Sequence, residues 1–470
     1  GNIVGEDGYI TLPSSCTVVG ASFKNCSSIV GISMPGVTAL TGASTFEGCS
    51  SLTTINLPAL AGTLGGSLFK NCTSLTSIDL PKVTAISNSS TFEGCTNLES
   101  VSLPKITGTV GTSAFKNCES LTSVDFANVT VVNGSAFEGC TNLATVNLPK
   151  VAGTLGAKAF MNCTSLTAIS LPKVTKLSGN CFNGCTAIET ADVSGVTGTN
   201  VGASEFENCS SLTTVTLNKG LTTIGSKMFN NCSSLTTIQY LDGTTIVAGL
   251  PTGLTIINQY AFANTGLVEI TIPNTITRIG TSSTSASVSA TTAGYVFDGC
   301  ANLQTVTFAL KADGTPAIEY ITGYSFRNCT SLTTINNIDK VVTVATYAFQ
   351  NCTSLTSISL PSATTLGTNL FNGCSSLTSV SLSESLTTLP DGIFNGCSSL
   401  TALTLHEGIT TINGNAFLNT GIVNLTIPAS VTTIGVNCFS SSIKLTVAEG
   451  NATYSIVDDG ATLIKTESGE

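Results

Sequence analysis

Eighteen cysteines are the first candidates for chemistry in this chain of 470 residues. A thiolate can attack a carbonyl, hold a metal ion or join a disulfide. Fifteen of them share one phase: Cys26, Cys49, Cys72, Cys95, Cys118, Cys140, Cys163, Cys185, Cys209, Cys232, Cys300, Cys329, Cys352, Cys374 and Cys397 each follow a phenylalanine by three residues. A metal site needs converging ligand pairs, and a nucleophile needs a polar, partly exposed setting. One cysteine per repeat at a fixed phase offers neither. It predicts a column of small, buried, free thiols, with bridges between neighbouring coils as the alternative. Thr265, Thr420 and Ser442 stand where the cysteine is missing, which fits a small-residue slot. Cys181 and Cys438 take the place before phenylalanine that usually holds alanine, and Cys16 lies outside both patterns.

Other reactive groups are sparse. His406 is the chain's single histidine, in a turn position that holds proline elsewhere. Acid–base or triad chemistry needs a placed histidine or paired carboxylates in a pocket. Asp79 and Asp125 share a phase but lie two coils apart, about 10 Å at strand spacing, too far to share a calcium ion. The sequence carries no phosphate-binding loop and no metal-binding cluster. We therefore expect no catalytic residue, no metal and no cofactor.

Two columns remain as binding candidates. Tyr260, Tyr295, Tyr324 and Tyr347 sit two residues before four consecutive repeat phenylalanines. Other repeats hold serine, lysine, asparagine or glycine there, which suggests an exposed position. Tyr240 and Tyr320 lie in the same stretch, so six of the eight tyrosines fall between residues 240 and 347. Stacked tyrosines suit protein and sugar contacts; the alternative is that they pack beneath inserted loops. The second column includes Asn56, Asp79, Asp125, Asn147 and Asp192, with Thr404 at the same phase further on. Such a face can hydrogen-bond a partner or simply be solvated.

What must position these groups is a repeat. Phenylalanine returns every 22 to 24 residues from Phe23 to Phe229, and again, after wider gaps, to Phe439, making 18 copies. Units this short cannot fold alone, so they predict a solenoid. Each carries Leu-x-x-Ile-x-Leu, as at Leu75, Ile78 and Leu80, often followed by proline as at Pro81. Alternation at Ile78, Asp79 and Leu80 predicts a strand with Asp79 outward. A second apolar pair, Val83 and Ile86, carries the chain back. Only 9% of residues are charged and 41% are hydrophobic, which excludes disorder as the main state. The net charge of −10 excludes a nucleic-acid partner. No run of about 18 apolar residues is present, so no membrane span is expected. Gly1 in place of methionine suggests the mature part of a larger product, with any export signal or anchor removed.

The repeats are not all equivalent. The two residues after phenylalanine alternate as Lys24-Asn25, Glu47-Gly48, Lys70-Asn71, Glu93-Gly94, Lys116-Asn117 and Glu138-Gly139, as if a two-unit block had been duplicated. Insertions are expected near 241–251, 281–294 and 309–317. They interrupt a repeat array at 23–443, with an N-terminal cap at 1–22 and a C-terminal cap at 444–470.

The pattern Leu221-Thr222-Thr223-Ile224-Gly225-Ser226-Lys227-Met228-Phe229-Asn230-Asn231-Cys232 resembles the BspA-like class of leucine-rich repeats. The resemblance runs from about Ile10 to Ile443. It implies a mainly β repeat solenoid, a right-handed leucine-rich-repeat superhelix with a parallel sheet on one face. It also implies an exported protein of the bacterial cell surface that binds or adheres to a host matrix protein, a host surface protein or a glycan. No functional residue is carried over, because the motif is structural. The alternative is a passive surface spacer or envelope scaffold whose functional domain lies elsewhere.

Overall fold

A computed structural model describes residues 7–20, 23–281, 289–457 and 462–466. Gly1, part of the second insertion (282–288) and the tail residues Asp458-Asp459-Gly460 lie outside the described residues. The chain divides into two compact units, Gly1–Leu221 with Asn231–Ala248, and Thr222–Asn230 with Gly249–Glu470. Each unit is a mainly β parallel solenoid, and no helix occurs among the described residues.

The Ile-x-Leu alternation forms a strand on the front of each coil. Ser77–Asp79 pairs in parallel with Ser100–Ser102, setting Ile78 against Val101 and Asp79 against Ser102. The isoleucine is buried and the aspartate exposed, as period-two alternation requires. Pro81 falls in the turn that follows. The return pair then forms a second strand, although its two apolar residues alone suggest a plain connection. Lys82–Ala85 pairs in parallel with Ala61–Thr63 on the back of the coil, burying Val83. Solenoid coils of this chain therefore carry parallel strands on two faces.

Inside, the phenylalanines stack. Ring centroids from Phe23 to Phe206 in the first unit lie 5.0–5.7 Å apart, with planes inclined by at most 12°. In the second unit the column from Phe229 to Phe439 is spaced 5.4–5.9 Å. Each such pair contributes about 0.5–1.5 kcal/mol beyond its burial.

The two-coil period has a steric cause. Asn25, Asn71 and Asn117 adopt left-handed backbone, and so do Gly48, Gly94 and Gly139 in the coils that follow. A Cβ at Gly94 would lie 2.3 Å from the Asn71 Oδ1, and one at Gly48 2.3 Å from the Asn25 Oδ1. The asparagine of one coil fills the side-chain space of the next. Ion pairs Lys24–Glu47, Lys70–Glu93 and Lys116–Glu138, at 3.0–3.2 Å, follow the same alternation.

Strand pairing alternates too. On the front, Thr54–Asn56 does not pair with Ser77–Asp79; there the back strands Ala61–Thr63 and Lys82–Ala85 are paired. One coil on, the front strands pair and the back is reduced to a single Ile86–Val110 bridge. Gly62, Gly108 and Gly153, each at positive φ, mark register shifts in every second back strand.

The insertions take different forms. In the first unit Thr237–Asp242 turns back through Thr245–Ala248 as an antiparallel hairpin. In the second unit, 309–317 makes a short turn closed by a Leu310–Pro316 bridge. Residues 289–293 run as a strap whose Ala290 and Thr292 carbonyls accept from the N–H groups of Thr346 and Gly323. At the C-terminal end Lys444–Val447 still pairs in register with Asn424–Ile427, and a hairpin of Tyr454–Val457 with Thr462–Lys465 follows.

Candidate functional site

The position two residues before phenylalanine is a backbone requirement before it is a surface. Ser44, Ser67, Ser90, Lys158, Asn180 and Asn369 all have φ near +60° there. Serine, asparagine, lysine and glycine recur for that reason, and the exposure expected from their variety is only partial. Tyr260, Tyr295, Tyr324 and Tyr347 hold the same left-handed conformation, with φ of 57°, 54°, 61° and 56°.

The four rings form one ladder. Successive centroids lie 4.5, 4.4 and 5.0 Å apart, with planes within 16° of parallel. Each tyrosine is half-buried, so the ladder neither stands free nor lies sealed beneath the insertions. The strap at 289–293 runs alongside, bonded to the residues just before Tyr324 and Tyr347. Stacking consumes the ring faces, and each tyrosine keeps only part of its surface in solvent. Burial, then the neighbouring phenols, push the Tyr295 and Tyr324 hydroxyls above their ordinary pKa.

Two cations border this ladder. Arg327 donates to both Asp298 oxygens, at 2.9 and 2.6 Å, and its guanidinium lies 5.5 and 4.8 Å from the Tyr295 and Tyr324 rings. Lys227 lies 5.9 Å from the Tyr260 ring at the other end. The sequence reading missed Arg327 and Asp298, although both directly follow repeat phenylalanines, as Lys24 and Glu47 do. Tyr320 is separate from the ladder: it lies in a back strand under the Arg278 guanidinium, 4.9 Å from its ring. Tyr240 is buried in the first unit.

The front column spends much of its hydrogen bonding on itself. Asn56 Nδ2 donates to Ser33 Oγ at 3.3 Å, and Asn147 Nδ2 to Asp125 Oδ1 at 2.7 Å. Asp192 accepts from Ser170 Oγ and from the N–H of Ser194. Asp79 is exposed in its strand. No group of three or more metal-binding side chains occurs among the described residues.

The column cysteines are free thiols, and all but Cys26 are buried. From Cys49 to Cys232 and from Cys300 to Cys397, each thiol donates to the carbonyl of the preceding coil's phenylalanine at 3.0–3.2 Å. Burial raises Cys49 to about 11 and Cys95 to about 12, which removes nucleophilic character. Where cysteine is absent, Thr420 and Ser440 reach the Phe417 carbonyl; Ser442, expected in that role, is exposed. One buried acid interrupts the alanine position. Glu205 accepts from the N–H groups of Gly179, Cys181 and Gly202 at 2.8, 3.0 and 2.8 Å.

Comparison with known proteins fits this geometry. The BspA type leucine rich repeat region matches in six overlapping copies, over residues 17–144, 130–248, 197–291, 247–313, 285–365 and 319–446. The chain belongs to this family. No curated protein matches it. Among solved structures it is similar to a leucine rich cell surface protein from Faecalibacterium prausnitzii A2-165, at 27% identity and TM-score 0.43, over 72% of this chain and 82% of that one. It is similar to a leucine-rich repeat protein from Bacteroides ovatus, at 20% identity and TM-score 0.44, over 94% and 92%. A third, from Eubacterium ventriosum, is 20% identical with TM-score 0.45, over 74% and 89%. Within the BspA type repeat, the tyrosine ladder is this chain's departure from its own consensus.

Proposed function

We propose that this chain is a non-catalytic binding scaffold of a bacterial cell surface, and that the tyrosine edge contacts its partner, a host matrix or surface protein or a glycan. The repeat family supports the scaffold and surface reading. The run of four stacked tyrosines supports the site. A side chain other than glycine in the left-handed region costs about 1–2 kcal/mol. Three stacks return about 0.5–1.5 kcal/mol each, which offsets four tyrosines without a clear gain. Serine or asparagine, used by neighbouring coils, would meet the same backbone need more cheaply. The conformation itself recurs in ordinary coils such as Ser44, Ser90 and Lys158, so what singles out this stretch is four consecutive tyrosines at that position. Because the ring faces are stacked on each other, a protein meeting phenolic edges fits better than a sugar lying flat on a ring.

The test replaces Tyr260, Tyr295, Tyr324 and Tyr347 together with serine and compares both proteins on arrays of matrix proteins and glycans. We expect binding to fall at least about tenfold, the loss of a single interface anchor, with the fold retained by circular dichroism. Binding unchanged in the quadruple variant would leave the ladder as packing and favour a passive spacer.

A further inference from the structure

The front face of the second unit breaks between Thr334–Asn336 and Ser357–Leu360, and it opens over a whole coil further on. Ser379–Leu382 pairs with Ser357–Leu360, and Asn424–Ile427 pairs with Lys444–Val447. Between them Thr401–His406 occupies the front position of its coil, yet it forms no strand, contrary to the expectation for Thr404. Among the described residues, none of its six N–H groups has a hydrogen-bond partner. Of its carbonyls only that of His406 accepts a backbone bond, from Ile409. The same coil stays joined elsewhere: the back strands Thr388–Leu389, Thr411–Ile412 and Thr433–Ile434 pair in sequence. The opening is therefore a wedge. The phenylalanine column registers it, since the Phe394 and Phe417 rings incline by 24°, against 3–9° for the four pairs from Phe297 to Phe394.

A cavity of about 370 Å³ fills the wedge, lined among others by Val380, Ser381, Leu382, Leu403, Thr404 and His406. The Gly408 N–H donates to His406 Nδ1 at 3.0 Å, which leaves the ring proton on Nε2. That Nε2 is buried and has no partner among the described residues. The surroundings are acidic. From Val341 to Ile443 the chain contains no lysine or arginine, but it contains Glu384, Asp391 and Glu407. Glu384 is exposed and also lines the cavity.

We propose that Thr401–His406 and the open edge of Ser379–Leu382 form a docking slot for an extended, positively charged peptide strand. A row of unpaired backbone donors and acceptors is matched by another backbone, which offers the same groups at the same spacing. Glu384, the carboxylate that lines the cavity, selects a cationic one, whereas Asp391 and Glu407 are held by Asn415 and by the Ala429 and Ser430 N–H groups. His406 Nε2 supplies a further donor at one end. This slot is independent of the tyrosine edge.

The probe is a capped heptapeptide of alternating threonine and valine that ends in lysine. It is compared with its backbone N-methylated form and with a form ending in glutamate. Each is added to the full chain, and amide hydrogen exchange is followed. We expect exchange at Thr401–His406 to slow at least about tenfold with the lysine peptide, little with the glutamate peptide, and not at all with the N-methylated one. Ala402→Pro removes an N–H that has no partner, so it should abolish protection while the melting temperature holds. If that variant unfolds, the N-methylated arm still decides. Equal protection by the N-methylated peptide, or protection elsewhere only, would overturn the proposal. So would a dimer of the chain alone that Ala402→Pro dissolves in sedimentation, because the edge would then belong to a second copy.

Discussion

At the residue scale, this protein is governed by which side chains tolerate a left-handed backbone next to a neighbour only a strand spacing away. Gly94 is required twice over, by its positive φ and by the Asn71 oxygen in its Cβ space. We expect Gly94→Ala to cost about 1–3 kcal/mol in denaturant unfolding. Adding Asn71→Gly should return the steric part and leave the φ part, which a double-mutant cycle separates. The thiols are legible in the same terms. Their phase showed a buried small-residue column, but the hydrogen bond to the preceding phenylalanine carbonyl needed coordinates. A thiol reagent should label few cysteines of the native protein, Cys16 and Cys26 first because they are half-buried, and nearly all eighteen after unfolding. Few reactive thiols in the unfolded, unreduced protein would contradict the free-thiol state. The tyrosine column was visible in the sequence as an anomaly. Its backbone strain was not, because φ leaves no direct mark in residue type once tyrosine replaces serine or asparagine.

At the element scale, the front strands follow from period-two alternation, whereas the back strands, only two to four residues long, hide in what looks like a return connection. A strand that short gives alternation too little length to show. The wedge at Thr401–His406 was hidden for another reason: its sequence keeps the repeat pattern, and only the pairing is lost. Glu205 shows how one residue can hold an irregular turn. The coil from Phe182 to Phe206 is slightly long, and the carboxylate accepts three N–H groups around the turn at Gly179–Gly202. Burial nevertheless raises its pKa above the ordinary value of 4.5. A raised folded pKa means that the site's contribution is full below 4.5 and is lost as pH rises through the folded value. Lowering the pH from neutral toward that window should therefore raise the melting temperature of the wild type relative to Glu205→Gln, which lacks this titration. Parallel pH profiles of the two proteins would show that Glu205 titrates normally.

At the scale of the whole chain, composition and repeat sufficed for the fold family because every coil solves the same packing problem. They could not rank the surfaces, since a hydroxyl-rich face looks the same whether it serves a partner or water. In the front column, Asn147 and Asp125 satisfy each other, which is information about the neighbour on the adjacent strand and not about residue type. The asparagine–glycine fit carries a further consequence. It imposes a parity on the coils from Phe23 to Phe182, which lapses where Asn231 bonds Asn208 and where Gly396 follows Gly373. Excising the single coil that begins at Phe69 would set Glu47 against Glu93; excising two would set Glu47 against Lys116 and keep the order of large and absent side chains. That stretch can lengthen or shorten cheaply only by even steps, so unequal recombination between its repeats is proofread by sterics and charge before any partner is met.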